Sequence, residues 1–256
     1  MSVPVLAALA LFPAMALAWW LQRRLANAGW VDMVWTFSLG LAGVVAALAS
    51  GSGPRAWLVA ALLAAWALRL GGYIVARTRG TPEDARYAQF RRDWGAAFQR
   101  RMFGFMMIQA AAAALLLLPV VLAAASPRPL GWPDALAVLL LVVAVAGEAV
   151  ADQQLHRFRA NPLNHGRVCD AGLWGWSRHP NYFFEWLHWL AYPCFAIGAE
   201  YGWLALLGPA FMYWLLVHVS GIPPLEAQML RSRGEAYRAY QRRVSAFIPL
   251  PSGRTP

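Results

Sequence analysis

Lysine is absent from this sequence: all 22 basic residues are arginines, and against 12 acids they leave a net charge of +10. Charge is scarce altogether, at 13% of residues beside 60% hydrophobic. A soluble domain carries about 25% charged residues, so that class is excluded and the solvent for most of this chain must be lipid. The two cysteines offer neither a metal-ligand spacing nor a disulfide framework, because Cys169 lies in an arginine-rich loop and Cys194 in an apolar run; both thiols are expected to be free. No glycine-rich dinucleotide fingerprint follows a strand, which excludes a Rossmann domain. Solenoid repeats and low-complexity linkers are also missing, so residues 1–256 are read as a single domain. The apolar start lacks a basic leader, its charge following the apolar run, and it reads as a retained first helix instead of a signal peptide.

What is abundant is apolar sequence in long windows. Stretches able to cross a hydrocarbon core of about 30 Å occur near residues 3–22, 31–51, 56–76, 103–125, 133–151, 182–199 and 202–220, predicting an all-α polytopic bundle of about seven transmembrane helices. With alternate loops on opposite sides, one side collects Arg23, Arg24, the arginines from Arg77 to Arg101, those from Arg157 to Arg178 and those from Arg231 onward. The other side keeps only Arg55 and Arg128, and Arg69 falls within a span. The positive-inside rule then places the amino terminus outside and the tail in the cytoplasm. Because the arginines sit between apolar segments, membrane lipids and an anionic cofactor suit them better than nucleic acid does. The two sizeable loops on the arginine-rich side, residues 77–102 and 152–181, mix arginine with Asp, Glu, Asn, Tyr and His, and function is expected there.

Ionisable groups inside the spans each require an explanation, since one at the bilayer centre costs at least about 2.5–3.5 kcal/mol. Trp66, Arg69 and Tyr73 follow at spacings of three and four, along one face of the third span. Arg69 either points into the bundle or snorkels toward the interface. Asp32, just inside the second span, is either interfacial or lines a polar cavity. Glu148 and Asp152, four apart, share a face at the end of the fifth span, either facing water or holding a cation or hydroxyl between them. The sixth span opens with Arg178, His179, Pro180, Asn181 and Tyr182, followed by Glu185 and His188. Pro180 suits a helix start, where its missing N–H is not needed, and the free N–H groups of that first turn would face an anion. The alternative is an interfacial belt of Trp, Tyr and His.

The stretch from Asp152 to Glu185 resembles the carboxyl-terminal half of the membrane steroid 5α-reductases and their bacterial relatives. That family's acid, helix-end arginine, second arginine, Gly-Leu turn, and Asn and Glu four apart are matched by Asp152, Arg159, Arg167, Gly172 with Leu173, Asn181 and Glu185. Residues Trp30 to Trp35 and the segment from Arg77 to Tyr87 look like the amino-terminal signature of the bacterial branch. The Asn181–Glu185 stretch is also similar to the Asn-Tyr-x-Gly-Glu pattern of sterol and steroid reductases, with Phe184 in place of the glycine.

The resemblance implies a seven-span fold in the bacterial inner membrane that holds NADPH in a cytoplasm-facing cavity, acting as a monomer. A lipophilic substrate, a steroid or similar enone, would enter from the membrane and have its conjugated C=C bond reduced. Guanidinium groups suit a 2′-phosphate and a pyrophosphate through their forked donors. The cofactor set carried over is Arg69, Arg77, Arg79, Tyr87, Glu148, Asp152, Arg159, Arg167, Arg178, His179, Asn181, Tyr182 and Glu185, with no metal. In the family's animal enzymes a Gln-Glu pair on the second span and a tyrosine on the third polarise the ketone. Asp32, preceded by Val31, takes the comparable place of the glutamate; Trp66 falls at the tyrosine's spacing, and Tyr73 is the nearest phenol on that span. Two rivals stand beside this reading. Isoprenylcysteine-type methyltransferases, which use S-adenosylmethionine, also carry Arg-His-Pro-x-Tyr before a span and a tail like residues 226–249. The other rival is a non-enzymatic lipid transporter or scaffold.

Overall fold

A computed structural model describes residues 1–251, and among these it contains ten α-helices and no strand beyond one isolated bridge. They are α1 (Val3–Leu25), α2 (Trp30–Ser50), α3 (Pro54–Thr78), α4 (Ala85–Trp94), α5 (Phe98–Ala125), α6 (Trp132–Ala160), α7 (Pro180–Ala196), α8 (Leu207–Trp214), α9 (Ile222–Arg233) and α10 (Glu235–Arg243). Six helical stretches are long and apolar enough to cross a membrane, the last running from Gly202 to Arg233 through α8, a π-helical turn at Leu215–Val219 and α9. The remaining expected span is α7, which begins at Pro180 as the sequence predicts but has 17 residues; that is the lower edge of the roughly 17–25 residues that suffice. Helix also extends into both arginine-rich loops. The first arginine-rich loop contains α4, and α6 continues to Ala160, so part of the second is helix as well.

The chain divides into two compact units. The first comprises Met1–Ala135 and Tyr192–Gly208. In it α2 packs against α1, α3 and α5. Small residues set how closely α2 and α3 approach: a Cβ built on Gly40 would lie 2.3 Å from the Ala67 Cβ, and one on Gly43 2.2 Å from the Leu63 side chain. Without a hydrophobic drive between helices in lipid, such close backbone contact supplies the packing attraction. Trp66 is fully buried in this unit.

The second unit comprises Leu136–Ala191 and Pro209–Pro256. Here Gly147 of α6 makes a notch filled by the Phe184 ring of α7, which would lie 2.3 Å from any Cβ at that position. The loop after α6 turns at Gly172, whose φ of +61° favours glycine. The Gln154 side chain fills the space beneath it and accepts a hydrogen bond from the Leu173 N–H at 2.9 Å. The Gly-Leu pair is thus a turn locked to α6. Residues 244–250 run beside 176–178: the Arg178 N–H donates to Ser245 O at 2.8 Å and the Leu250 N–H to Trp176 O at 3.0 Å. Tyr237, Tyr240 and Val244 form a buried cluster with Val168, Met229 and Leu230, holding the tail against this loop.

Candidate functional site

The second unit contains a cavity of about 320 Å³, walled by the end of α6, the loop 164–179, α9 and α10. Arg159, Arg167, Arg178 and Arg233 line it, with His165, His179 and Asn164, and none of the lining residues is acidic. Its apolar wall is Leu155, Phe158, Val168, Trp174, Leu225 and Met229, and Tyr237 and Tyr240 complete it. Arg159 and Arg167 are exposed, and among the described residues their side chains bond to none. Arg178 is paired with a carboxylate outside the lining, so Arg159, Arg167 and Arg233 give the cavity its uncompensated positive charge.

One carboxylate organises this wall from behind. Glu226 of α9 accepts from Arg178 Nε at 2.6 Å, His179 Nε2 at 3.1 Å, Gln241 Nε2 at 2.7 Å and the Tyr237 hydroxyl at 3.3 Å. Arg178 also donates through Nη1 to the Gln241 and Val244 carbonyls. Burial depresses the His179 imidazole below its ordinary range despite the opposing pull of the Glu226 charge. The ring is therefore neutral at physiological pH. Burial raises the Tyr237 and Tyr240 phenols, for Tyr237 reinforced by the Glu226 charge, so neither ionises near neutrality. Burial likewise raises the Cys169 thiol on the cavity wall, which stays protonated and unreactive.

A second polar cluster lies in the first unit. Asp32, on the first turn of α2, accepts from Arg86 Nη2 at 2.7 Å through one oxygen and from the Tyr87 hydroxyl at 2.7 Å through the other. The segment that brings these partners is fixed by its own acids. Asp84 caps α4 through the Arg86 N–H at 3.0 Å, and Glu83 accepts from the Ala28 N–H at 3.0 Å and from Arg91 at 2.8 Å. Burial opposes ionisation of both acids, but Arg91 and the Ala28 N–H hold Glu83 below its ordinary range, and Arg86 does so for Asp84. On α3 the Tyr73 ring lies between two guanidiniums, Arg69 at 5.8 Å and Arg77 at 5.9 Å from its centroid. These distances are within cation–π range.

The structure therefore distributes the residues named from sequence as follows. Arg159, Arg167, Arg178 and His179 share the acid-free cavity. Asn181, Tyr182 and Glu185 follow on α7 outside its lining: Tyr182 stacks on His179 at 5.5 Å, and Glu185 accepts from Trp189 Nε1 at 3.1 Å. Glu148 and Asp152 are buried on α6 in the same unit. Asp32 and Tyr87 meet in the cluster of the first unit, Arg69, Tyr73 and Arg77 form the α3 ladder, and Arg79 is exposed where α3 ends. Sequence reasoning passes over Arg86, Arg233 and Glu226, together with Tyr237 and Tyr240. One signal was present: Glu226 opens an arginine-rich tail in which Tyr237 and Tyr240 repeat at helical spacing. Among the described residues no group of three or more His, Cys, Asp or Glu side chains is placed to hold a metal ion.

The two basic residues expected on the opposite side are structural. Arg55 is buried, donates through Nε to Asp134 at 2.7 Å, and also bonds the carbonyls of Ser126, Arg128 and Pro129. Arg128 completes the arrangement on the other Asp134 oxygen.

Helices of this length and composition, with a cationic cavity at the end of α6, define a polytopic all-helical membrane protein. The chain belongs to the DUF1295 family, described as "Protein of unknown function (DUF1295)", whose pattern matches residues 18–244. It is similar to Uncharacterized protein C594.04c of Schizosaccharomyces pombe (strain 972 / ATCC 24843), with 34% identity over 151 residues, taking in 51% of this chain and 43% of the yeast protein. The match thus spans less than half of that relative's length. No solved structure matches the chain.

Proposed function

We propose that the protein is an NADPH-dependent reductase of the conjugated C=C bond of a lipophilic enone, a 3-oxo-Δ4-steroid or a molecule of similar shape. The observation that carries this reading is the cavity lined by Arg159, Arg167, Arg178 and Arg233 without an acid. The donor set fits the cofactor: a 2′-phosphate and a pyrophosphate together demand several forked cations, which a cofactor lacking phosphate would not. At about 320 Å³ the cavity is at the small end of ligand sites, a size suited to the phosphate-bearing end of a dinucleotide. Likeness to the steroid 5α-reductases from Asp152 to Glu185 supports the same assignment.

Bound NADPH supplies a hydride for the β-carbon of the enone. The protein's part on the proton side is given to the Asp32 cluster. Asp32 holds the Arg86 guanidinium 2.7 Å away, a cation able to stabilise negative charge growing on a ketone oxygen, while the one proton of the Tyr87 hydroxyl is given to Asp32 and fixes its carboxylate. The arginine-rich loops and tail are assigned to the cytoplasmic face, where NADPH is available.

Purified protein in detergent or nanodiscs is expected to bind NADPH, and more tightly than NADH because of the 2′-phosphate. Enone-dependent NADPH oxidation should then slow in Asp32→Asn without loss of cofactor affinity. The methyltransferase reading keeps one specific observation, the clamp that Glu226 of the tail places on Arg178 and His179. Protein that retained S-adenosylmethionine and ignored NADPH would decide for it. Protein that bound neither would leave the lipid-scaffold reading.

A further inference from the structure

The first unit gathers positive charge that neither the arginine cavity nor the Asp32 cluster uses. Where α1 closes and α5 opens, the two helices are bonded together: Gln22 Nε2 donates to Gln99 Oε1 at 2.8 Å, and the Trp19 indole N–H donates to Gln99 O at 3.0 Å. Gln22 is fully buried in this seam, and the Trp19 ring meets Phe103 edge-on at 5.3 Å. The bond between the glutamines sets the residues that follow them, Arg23 and Arg100, at one level. Arg24 and Arg101 come next in sequence, and all four arginines are exposed. Neither helix contains an acid, and Asp93, the nearest in sequence to Arg100, is bonded by Gln89 on α4.

The exposed faces of both helices show where this level lies in the membrane. On α1 the stripe Leu6, Leu9, Leu17 and Trp20 is exposed and ends at Arg24. On α5 the exposed Ile108 and Leu115 lie along the face that Arg101 opens. Faces this apolar meet acyl chains, so the arginines that end them stand at the depth of the lipid phosphates. Two of the guanidiniums are already held in place: Arg23 lies 4.7 Å over the Trp19 ring and Arg24 5.2 Å over the Trp20 ring. Part of the entropy of ordering them is therefore met on folding. A zwitterionic headgroup would bring its own ammonium against four cations, with no acid on either helix to receive it. An anionic headgroup brings no such repulsion.

We propose that the α1–α5 seam is a headgroup site for an anionic phospholipid. Arg23 and Arg100 take its phosphate, Arg24 and Arg101 add charge, and Trp20 and Phe103 line the start of the acyl chains. The site lies in the first unit, whereas the arginine cavity belongs to the second, and it is independent of the cofactor reading.

The detergent-purified full chain is titrated with dioleoylphosphatidylglycerol and with dioleoylphosphatidylcholine, and bound lipid is counted by native mass spectrometry. A single phosphatidylglycerol per chain is expected to be held in preference to phosphatidylcholine. Arg23→Gln combined with Arg100→Gln should weaken phosphatidylglycerol roughly ten- to thirtyfold, about fivefold for each arginine at a headgroup, and leave phosphatidylcholine unchanged. Arg231→Gln combined with Arg242→Gln, which removes the same charge from exposed positions of the second unit, should change neither. Equal affinity of the unaltered chain for both lipids, or an equal loss in the two double variants, overturns the site. Displacement of the lipid by glycerol 3-phosphate at matching concentration would assign a soluble phosphate and overturn the lipid as its occupant. Should the first double variant not fold, Arg24→Gln and Arg101→Gln, at the ends of exposed stripes, carry the same test. Unchanged phosphatidylglycerol affinity in both overturns the proposal, and a loss in each supports it.

Discussion

Arg159 and Arg167 illustrate how an individual side chain separates binding from stability. Neither side chain bonds another described residue, so replacing either with alanine removes no side-chain bond that supports the fold. Each replacement is expected to weaken NADPH binding by about tenfold or more, the worth of a hydrogen bond to a charged group. The thermal midpoint should stay unchanged, with fluorescence titration and a melting curve as the paired measurements. Asp134 is the opposite case. It is the carboxylate between two arginines, and Asp134→Asn leaves the buried Arg55 guanidinium without its counter-charge. Breaking such a pair costs about 3–5 kcal/mol, so this variant should melt well below the unaltered chain while NADPH affinity per folded molecule is retained. Sequence singled out the first kind of residue: Arg159 and Arg167 belong to the stretch that resembles the reductases, and the structure brings both to one cavity. It gave no sign of the second, because the partner of Arg55 is 79 residues away and such distant pairing leaves no local pattern.

Among the elements, the segment from Thr81 to Arg91 works as a clasp. Asn27 donates to the Thr81 carbonyl at 3.3 Å and the Ala28 N–H donates to Glu83 at 3.0 Å, fastening the turn before α2 to the start of α4. Because Glu83 and Asp84 are held below their ordinary range in the folded chain, they stabilise the clasp fully above about pH 4.3, and that contribution is lost as pH falls through the depressed values. Amide hydrogen exchange at Ala28, corrected for its intrinsic pH dependence, is expected to accelerate on acidification, and Glu83→Gln should flatten that response. The motif ending at Tyr87 was legible as a signature, but not as two devices, one fastening a turn and one delivering Arg86 and Tyr87 to Asp32. The tail was legible as basic helix, whereas the role of Glu226 emerges only once α9 packs beside the loop before α7. A carboxylate that serves four donors looks, in sequence, like any helix acid.

For the whole molecule, the apolar windows located the spans well because bilayer thickness fixes helix length directly. Their ends were less legible: α4 and the last turns of α6 are polar, and hydropathy is silent about helices made of charged residues. The charge asymmetry predicts that Thr81 faces the cytoplasm and Ser52 the opposite side. With Cys169 and Cys194 replaced by alanine, a membrane-impermeant maleimide applied to intact cells should label Ser52→Cys and spare Thr81→Cys, a pattern that inverted vesicles should reverse. The Phe184 ring in its notch at Gly147 has a consequence for descent. In the sterol and steroid reductase pattern that this stretch resembles, the position of Phe184 is a glycine, and here Gly147 leaves the space that the Phe184 ring fills. Kin of this chain should vary at the two sites in concert, trading volume across the seam, and an exchange at one site alone should be rescued by its reciprocal.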